Sequence, residues 1–432
     1  MSHTPPTGIK GRVSSGKRVA SFVLPLLFAS PWCAEAQTLH TEPQGMYTAK
    51  IAGPASTPGA ARTYLGVQLP RTTVGAGLVG SASGSTFSLL EGTHPTEISD
   101  PAETYYVHVL DGAGRGRVID VAAFSESSVT CAENIEAWLG SGTSIRIRPH
   151  PRIADLFGTD NRFALGAGTD ADNADNLVFW DADTQHERVF YFHSTRDRWE
   201  EDGINSDAGN TPIRFPNGLY IVRRTPGTLR MSLSGEVGSE PLLVPARTGS
   251  NVFSLPVNLS GSLDAIVPAA GSHAVISGPN AASADLLSFE EPTTHTRRGP
   301  FYQLDRGGET GWREIGVDDS AAPLAPLDFL STLVLQRSGP PGFLLLEGSL
   351  VPPAVPRPPL PPDPEPGEVE LTGEFQLPPM PPGVSIAVEV STDLQSWTYF
   401  ADPVVHPDNR VTFTLPAGQT RAFYRLALSL SP

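Results

Sequence analysis

The densest cluster of acidic side chains is Asp170, Asp172, Asn173, Asp175 and Asn176, followed by Asp181 and Asp183. Several oxygen ligands on one turn are what a hard cation such as calcium takes. Asp170, Asp172 and Asp175 are therefore candidate metal residues, with Ca2+ as the candidate cofactor. The spacing departs from an EF-hand loop, which wants acids at alternate positions followed by glycine. A solvated loop is the weightier alternative on so acidic a chain. A second loop, Asp202 with Asn205 and Asp207, is echoed by Asp318 and Asp319, and such residues favour turns in any case.

A second group of candidates is aromatic. Trp180, Tyr191, Trp199 and Tyr220 offer flat apolar faces with polar edges, which suit a pyranose ring, so they are candidate glycan-binding residues. Aromatics on strands more often fill cross-strand pairs or a core. Trp199 has a counterpart in Trp312, which makes it look structural.

No catalytic residue is assigned. The sequence contains neither a G-x-S-x-G elbow nor an H-E-x-x-H helix. His108, His150, His186, His193, His273, His295 and His406 lack ligand spacing, and Cys131 falls on an apolar face where a thiol is usually inert. Among 46 acids some pair can always be matched to the two carboxylates of glycoside hydrolysis, which is no evidence without geometry.

The elements that must position these residues are written twice. A spacing of 110 superimposes Ala174, Asp175, Leu177, Phe179, Thr184 and Arg188 on Ala284, Asp285, Leu287, Phe289, Thr294 and Arg298. After a slip, a spacing of 113 pairs Trp199 with Trp312, Glu201 with Glu314, Gly203 with Gly316, Arg224 with Arg337 and Gly235 with Gly348. The repeats run over 174–237 and 284–350. Units of this size with exposed edges rarely stand alone, so the two are expected to share one sheet system.

With 42 glycines and 43 prolines in 432 residues, long helices are disfavoured and short strands joined by turns are expected. The fold class is all-β: a duplicated antiparallel body, barrel-like or sandwich-like, with one short helix, a proline-rich linker and a small C-terminal β-sandwich. Residues 37–160 form an N-terminal β region, 161–350 the duplicated region packed with it, 351–367 the linker and 368–432 the sandwich. The short helix is expected near 131–139, where Thr130 and Glu133 read as a capping box and Cys131, Ile135, Trp138 and Leu139 recur at helical spacing. Ser144–Arg148 alternates isoleucine with arginine, as a strand with one wet face does. Leu242–Pro245, Val252–Val257, Leu263–Val267 and His273–Ile276 look like further strands between the repeats.

Residues 1–36 look like a secretion signal: four basic residues precede the apolar run from Val19 to Phe28, and Ala34-Glu35-Ala36 suits cleavage after Ala36. The run is too short and too interrupted by proline to span a bilayer, so no membrane-spanning segment is expected after cleavage. The mature protein is then periplasmic or extracellular. Cleavage removes four basic residues and one acid and moves the formal charge from −16 to −19, which excludes nucleic acid as a partner and leaves cell-surface or glycan partners open. Only Cys131 is left, so no internal disulfide forms.

Thr104-Tyr105-Tyr106-Val107, Ile145–His150 leading to Leu156-Phe157-Gly158, and the block with Phe190-Tyr191, Trp199 and Gly218–Arg223 resemble an uncharacterised family of verrucomicrobial secreted proteins over about residues 45–350. The chain departs from that pattern at Leu330-Ser331-Thr332-Leu333, where a Gly-aromatic step is expected. The tail, with Ser391–Leu394, Trp397 and Phe423-Tyr424-Arg425, is similar to a small β module of other secreted proteins of those bacteria. The resemblance implies export and a β-rich fold and no activity. Three functions stay open: a non-enzymatic exported protein for surface assembly or attachment, a glycan-binding module using the first-repeat aromatics, and an exported hydrolase with unidentified catalytic residues.

Overall fold

A computed structural model describes residues 39–40, 43–55, 59–67, 69–92, 100–238, 240–255, 263, 274–291, 296–316, 332–346, 371–376, 384–391, 396–401, 403–407, 410–415 and 421–430. The expected leader (1–36), the proline-rich spacer (351–367) and the segment 264–267 expected as a strand lie outside them. The described chain is all-β, as its glycine and proline content predicts, with one short α-helix and no helix long and apolar enough to cross a membrane.

In chain order, β1 (Leu39–His40), β2 (Gln44–Ile51) and β3 (Ala61–Leu65) come first. Then follow β4 (Gly75–Ser83), β5 (Thr86–Gly92), β6 (Tyr105–Val109), β7 (Val118–Phe124), β8 (Ser128–Cys131) and β9 (Ser144–Pro149). These six close a barrel in the order β4-β5-β8-β7-β6-β9. Within it β6 to β8 meander and β9 returns beside β6, a Greek-key path. Val79, Phe87, Val107, Val109, Ile119, Val129, Ile145 and Ile147 fill the interior, each worth roughly 1.5–3 kcal/mol when fully buried.

The helix expected near 131–139 does not form. Cys131 ends β8 and donates its N–H to Ser85 O, while Ile135 donates to Gly84 O, so the barrel takes the backbone donors that a helix would need. Cys131, Ile135 and Leu139 still point into one core, from a strand and a single turn that plugs the barrel end. Thr130 uses its hydroxyl on Thr86 rather than as a cap. The helix is α1 (Ile153–Phe157), where Asp155 accepts from the Arg152 backbone N–H and guanidinium.

The first repeat supplies β10 (Asn176–Asp181), β11 (His186–His193), β12 (Arg198–Glu201), β13 (Leu219–Arg223) and β14 (Leu229–Glu236). Next come β15 (Leu242–Ala246) and β16 (Gly249–Ser254). The second repeat supplies β17 (Leu286–Glu291), β18 (Thr296–Arg306), β19 (Glu309–Glu314), β20 (Thr332–Arg337) and β21 (Gly342–Leu346). Residues 274–276, expected as part of a strand, form none.

The two five-stranded sheets have matching orders, β12-β11-β10-β13-β3 and β19-β18-β17-β20-β16, and β2 pairs with β14 as β15 pairs with β21. The duplication therefore reaches upstream of the sequence repeat, because β2 and β3 correspond to β15 and β16. The barrel is an insertion into the first unit, between β3 and β10. In the second unit the corresponding connection, 255–285, is much shorter. The units meet reciprocally: β3 packs by β17 and β16 by β10, the pattern of a quasi-twofold pair.

The shared chemical mark of the two units is a buried aspartate. Asp175 accepts from the N–H groups of Gly166 (2.8 Å) and Arg224 (2.6 Å) and pairs with the Arg223 guanidinium (3.4 Å). Asp285 accepts from Ile276 N–H and Ser338 N–H (both 2.9 Å) and lies 3.5 Å from the Arg337 guanidinium. Arg337 thus corresponds to Arg223, not to Arg224 as the spacing of 113 implies. The chain slips once more before β20, since Leu219 and Leu333, paired with the equivalent Phe179 and Phe289, are already 114 apart, and a one-residue slip changes the face a side chain occupies. Gly168 and Gly278 sit at equivalent close approaches, where a Cβ would come within 2.8 Å of Asn173 C and 2.5 Å of Ser283 Oγ.

The tail provides β22 (Leu371–Gln376), β23 (Val384–Ser391), β24 (Thr398–Ala401), β25 (Val404–Val405), β26 (Arg410–Leu415) and β27 (Arg421–Leu430). One tail sheet is β22-β26-β25; the other continues into the body, in the order β14-β2-β27-β23-β24 with β1 on β27. Met46 of β2 enters the tail core beside Phe413 and Tyr424, while its neighbours Tyr47 and Ala49 enter the core of the first unit. The expected sandwich is present and includes a strand from the other end of the chain.

Removing either buried aspartate strands an arginine and leaves strand-end N–H groups unpaired. Asp175→Ala and Asp285→Ala should each cost about 3–5 kcal/mol in urea unfolding, whereas Asp170→Ala on the exposed loop should cost under about 0.5 kcal/mol.

Candidate functional site

The structure does not bring Asp170, Asp172 and Asp175 together. Ala171 and Ala174 of that loop are buried on Tyr191, which turns Asp170 and Asp172 out to solvent and Asp175 inward to its arginine. Asp170 accepts from the Asn173 backbone and side-chain N–H groups, which holds its carboxyl below the usual range. No three His, Cys, Asp or Glu residues are grouped to hold a metal ion among the described residues.

The four aromatics likewise do not form a surface platform. Trp199 is buried between Phe157 and Phe192 and donates its indole N–H to Gly158 O at 2.7 Å, tying β12 to the end of α1. Tyr191 and Tyr220 are buried on the opposite face of the sheet, Tyr220 between the Tyr64 ring and the Arg62 guanidinium. Trp180 is half-buried and donates to Ser250 O at 2.7 Å, stitching β10 to β16 across the two units. Trp312 is buried like Trp199.

Polar residues of more consequence converge where the barrel meets the body. Arg146 and Arg148 alternate with the barrel isoleucines as expected, but the face they line is covered rather than wet. Arg148 and Glu236 are almost fully buried and paired at 2.5 Å; Glu236 also accepts from the Thr73 N–H (2.9 Å) and hydroxyl (3.0 Å). Arg146 pairs with Glu240. One knot therefore ties β9, β14 and the strand that enters the barrel. Next to it a cavity of about 10 Å³, lined by Pro70, His108, Arg148, Phe215, Gly238, Glu240 and Leu242, has room for about one water molecule.

His150 is the residue of this junction that most looks like chemistry. Its Nδ1 accepts the Phe215 N–H at 3.1 Å, which places the proton on Nε2, and Nε2 donates to Asp120 at 3.1 Å. Asp120 is also held by Arg214, and burial is outweighed by these partners, so its carboxyl stays below the usual range. Both ring nitrogens are occupied, and Tyr106 and Phe215 cover the pair, with the Tyr106 ring 4.8 Å from the imidazole. The arrangement clamps β7 to the loop before β13 and offers no free base. Cys131, inside the barrel, has its thiol pushed up to about 12 by burial.

An open groove of about 260 Å³ lies between the barrel and the second unit, lined by Arg117, Val118, Glu133, Leu243, Pro245, Arg247, Pro341, Gly342 and Phe343. Sequence reasoning missed it because its walls come from segments more than a hundred residues apart, brought together where Leu243 N–H meets Gly116 O at 2.8 Å and Arg117 stacks on Phe343.

No family model, curated protein or solved structure matches the chain.

His108 supplies a test of the junction. Burial, with Arg148 nearby, lowers its imidazole to about 4 against the pull of Glu240. A histidine kept neutral in the fold while the unfolded chain takes up a proton contributes stability that is complete above about pH 6.5 and is lost as pH falls toward 4. His108→Gln should remove on the order of 3 kcal/mol of that acid sensitivity, read as the difference in urea midpoints between pH 7 and pH 4.

Proposed function

We propose that the chain is an exported, non-enzymatic β protein that acts by attachment or assembly at the cell surface. The observation that carries this reading is where the buried ionisable groups are used. Asp175 with Arg223, Asp285 with Arg337, Glu236 with Arg148 and Asp120 with His150 each hold two elements together, and their carboxylate oxygens and the His150 ring nitrogens are already engaged. Such groups stabilise a shape rather than a transition state, for which catalysis needs a free base or nucleophile beside a site for substrate. The leader at 1–36 with cleavage after Ala36, and the resemblance to secreted verrucomicrobial proteins, support export. The acidic charge argues against nucleic acid.

A second reading, glycan binding, is favoured by the groove. It is concave, partly apolar and bordered by charged side chains, as small-ligand sites are. In this reading the four aromatics named from the sequence give way to the groove residues.

The test is a glycan array and a whole-cell binding assay on the purified mature protein, with polysaccharide hydrolysis measured alongside. Binding to cells or glycans without release of reducing ends is the expected result. Turnover of any polysaccharide on the array would replace the attachment reading with the hydrolase one.

A further inference from the structure

The groove between the barrel and the second unit contains an arginine that makes no salt bridge among the described residues. The Arg117 guanidinium lies between two rings, 4.7 Å from the Trp138 centroid and 4.2 Å from that of Phe343. Its Nε is buried with no hydrogen-bond partner among the described residues. By contrast Arg146, Arg148, Arg152, Arg188, Arg196 and Arg223 all pair with acids. In a chain of formal charge −16, an arginine stacked between two rings, with Glu133 as a nearby charge but no carboxylate in salt-bridge contact among the described residues, is a preformed anion receptor.

The rest of the groove narrows the choice of anion. Arg247 adds a second cation at the rim, pairing on one side with Asp183. Glu133 is an exposed acceptor on the barrel side, and Pro245, Pro341 and Phe343 present flat apolar surfaces. The volume, about 260 Å³, is just under the roughly 300–1,000 Å³ of drug-sized pockets and suits one or two sugar rings rather than a large cofactor. Pro245 has no N–H to give, which disfavours a peptide adding a strand at the edge of β15. The corresponding ribbon of the first unit, β2 with β14, has its outward Met46 covered by the tail sandwich, whereas the β15–β21 ribbon faces the groove.

We propose that this groove binds a hexuronic acid residue of an acidic glycan, its carboxylate on Arg117, its hydroxyls on Glu133 and its ring against Phe343 and the prolines. The proposal rests on the glycan reading above and names its ligand class. The acidic surface elsewhere does not prevent it, because charges farther away than roughly 8 Å are screened at physiological salt while the stacked arginine is in contact.

The experiment is calorimetric titration of the full mature protein with digalacturonate and with the neutral digalactoside, repeated on Arg117→Gln and Arg247→Gln. Digalacturonate should bind, the digalactoside about tenfold or more weakly, and Arg117→Gln should lose about tenfold or more in affinity for the acid, the worth of a charge-assisted hydrogen bond. Arg247→Gln, at the half-exposed rim, keeps a wild-type melting temperature and shows a smaller loss, so a folding defect in the first variant leaves the groove testable. Equal binding of both sugars, equal binding by both variants and wild type, or no binding of digalacturonate overturns the proposal. Binding of neutral glycans that neither variant changes would remove the groove assignment while leaving attachment standing. Cleavage of the dimer would remove the non-enzymatic reading, with the Arg117→Gln comparison still deciding the groove.

Discussion

A carboxylate cannot stay charged inside a protein without partners, and Asp175 and Asp285 are surrounded by them. Each sits at the start of a central strand and accepts from the backbone of the loop before that strand and from the turn after the strand beside it. The pair of bonds fixes where β10 and β13 begin and end relative to each other, and where β17 and β20 do. Register in an antiparallel sheet decides which residues reach the core, so these contacts also decide that Leu177, Phe190 and Ile221 face inward in one unit and Leu287, Phe301 and Leu335 in the other. Losing one partner costs much more than the pair contributes when intact, because the remaining charge stays buried.

The same logic operates where the layers join. The barrel interrupts the first unit and must be held against it, and the Arg148–Glu236 pair and the His150–Asp120 pair do so at two points. The two ribbons of the body are finished differently. On one, β27 adds to β2 and brings the tail with it; on the other, Gly116 and Arg117 of the barrel meet Leu243, and Pro245 offers no donor to a further strand. Exposed edges invite unwanted pairing, and each of these features limits it. The groove opens beside the edge where Gly116 and Arg117 meet Leu243.

Much of the architecture was legible as pattern. Alternation along Ser144–Arg148 marks a strand because side chains in a pleated strand point to opposite faces by turns. The repeat was visible because Asp175 and Trp199 have counterparts at near-constant spacing. Its upstream half was not, since β2 and β3 share little sequence with β15 and β16 and their kinship lies in which strand each pairs with. At Cys131–Leu139 the period was read correctly as one buried face, yet three residues four apart reach a common core from a strand and a turn as well as from a helix.

The sequence by itself determined the strand content, the duplication of the central units, the acidic charge and the alternation that makes each layer two-faced, because these depend on residue type and short-range spacing. Tertiary structure alone decided which core each first-repeat aromatic enters, that Asp175 turns away from Asp170 and Asp172, that Arg148 is covered, and that Arg117 stands between two rings at the mouth of a groove. Those outcomes depend on which distant segment lies over a given face. Local pattern states that a face exists and is silent on what will cover it.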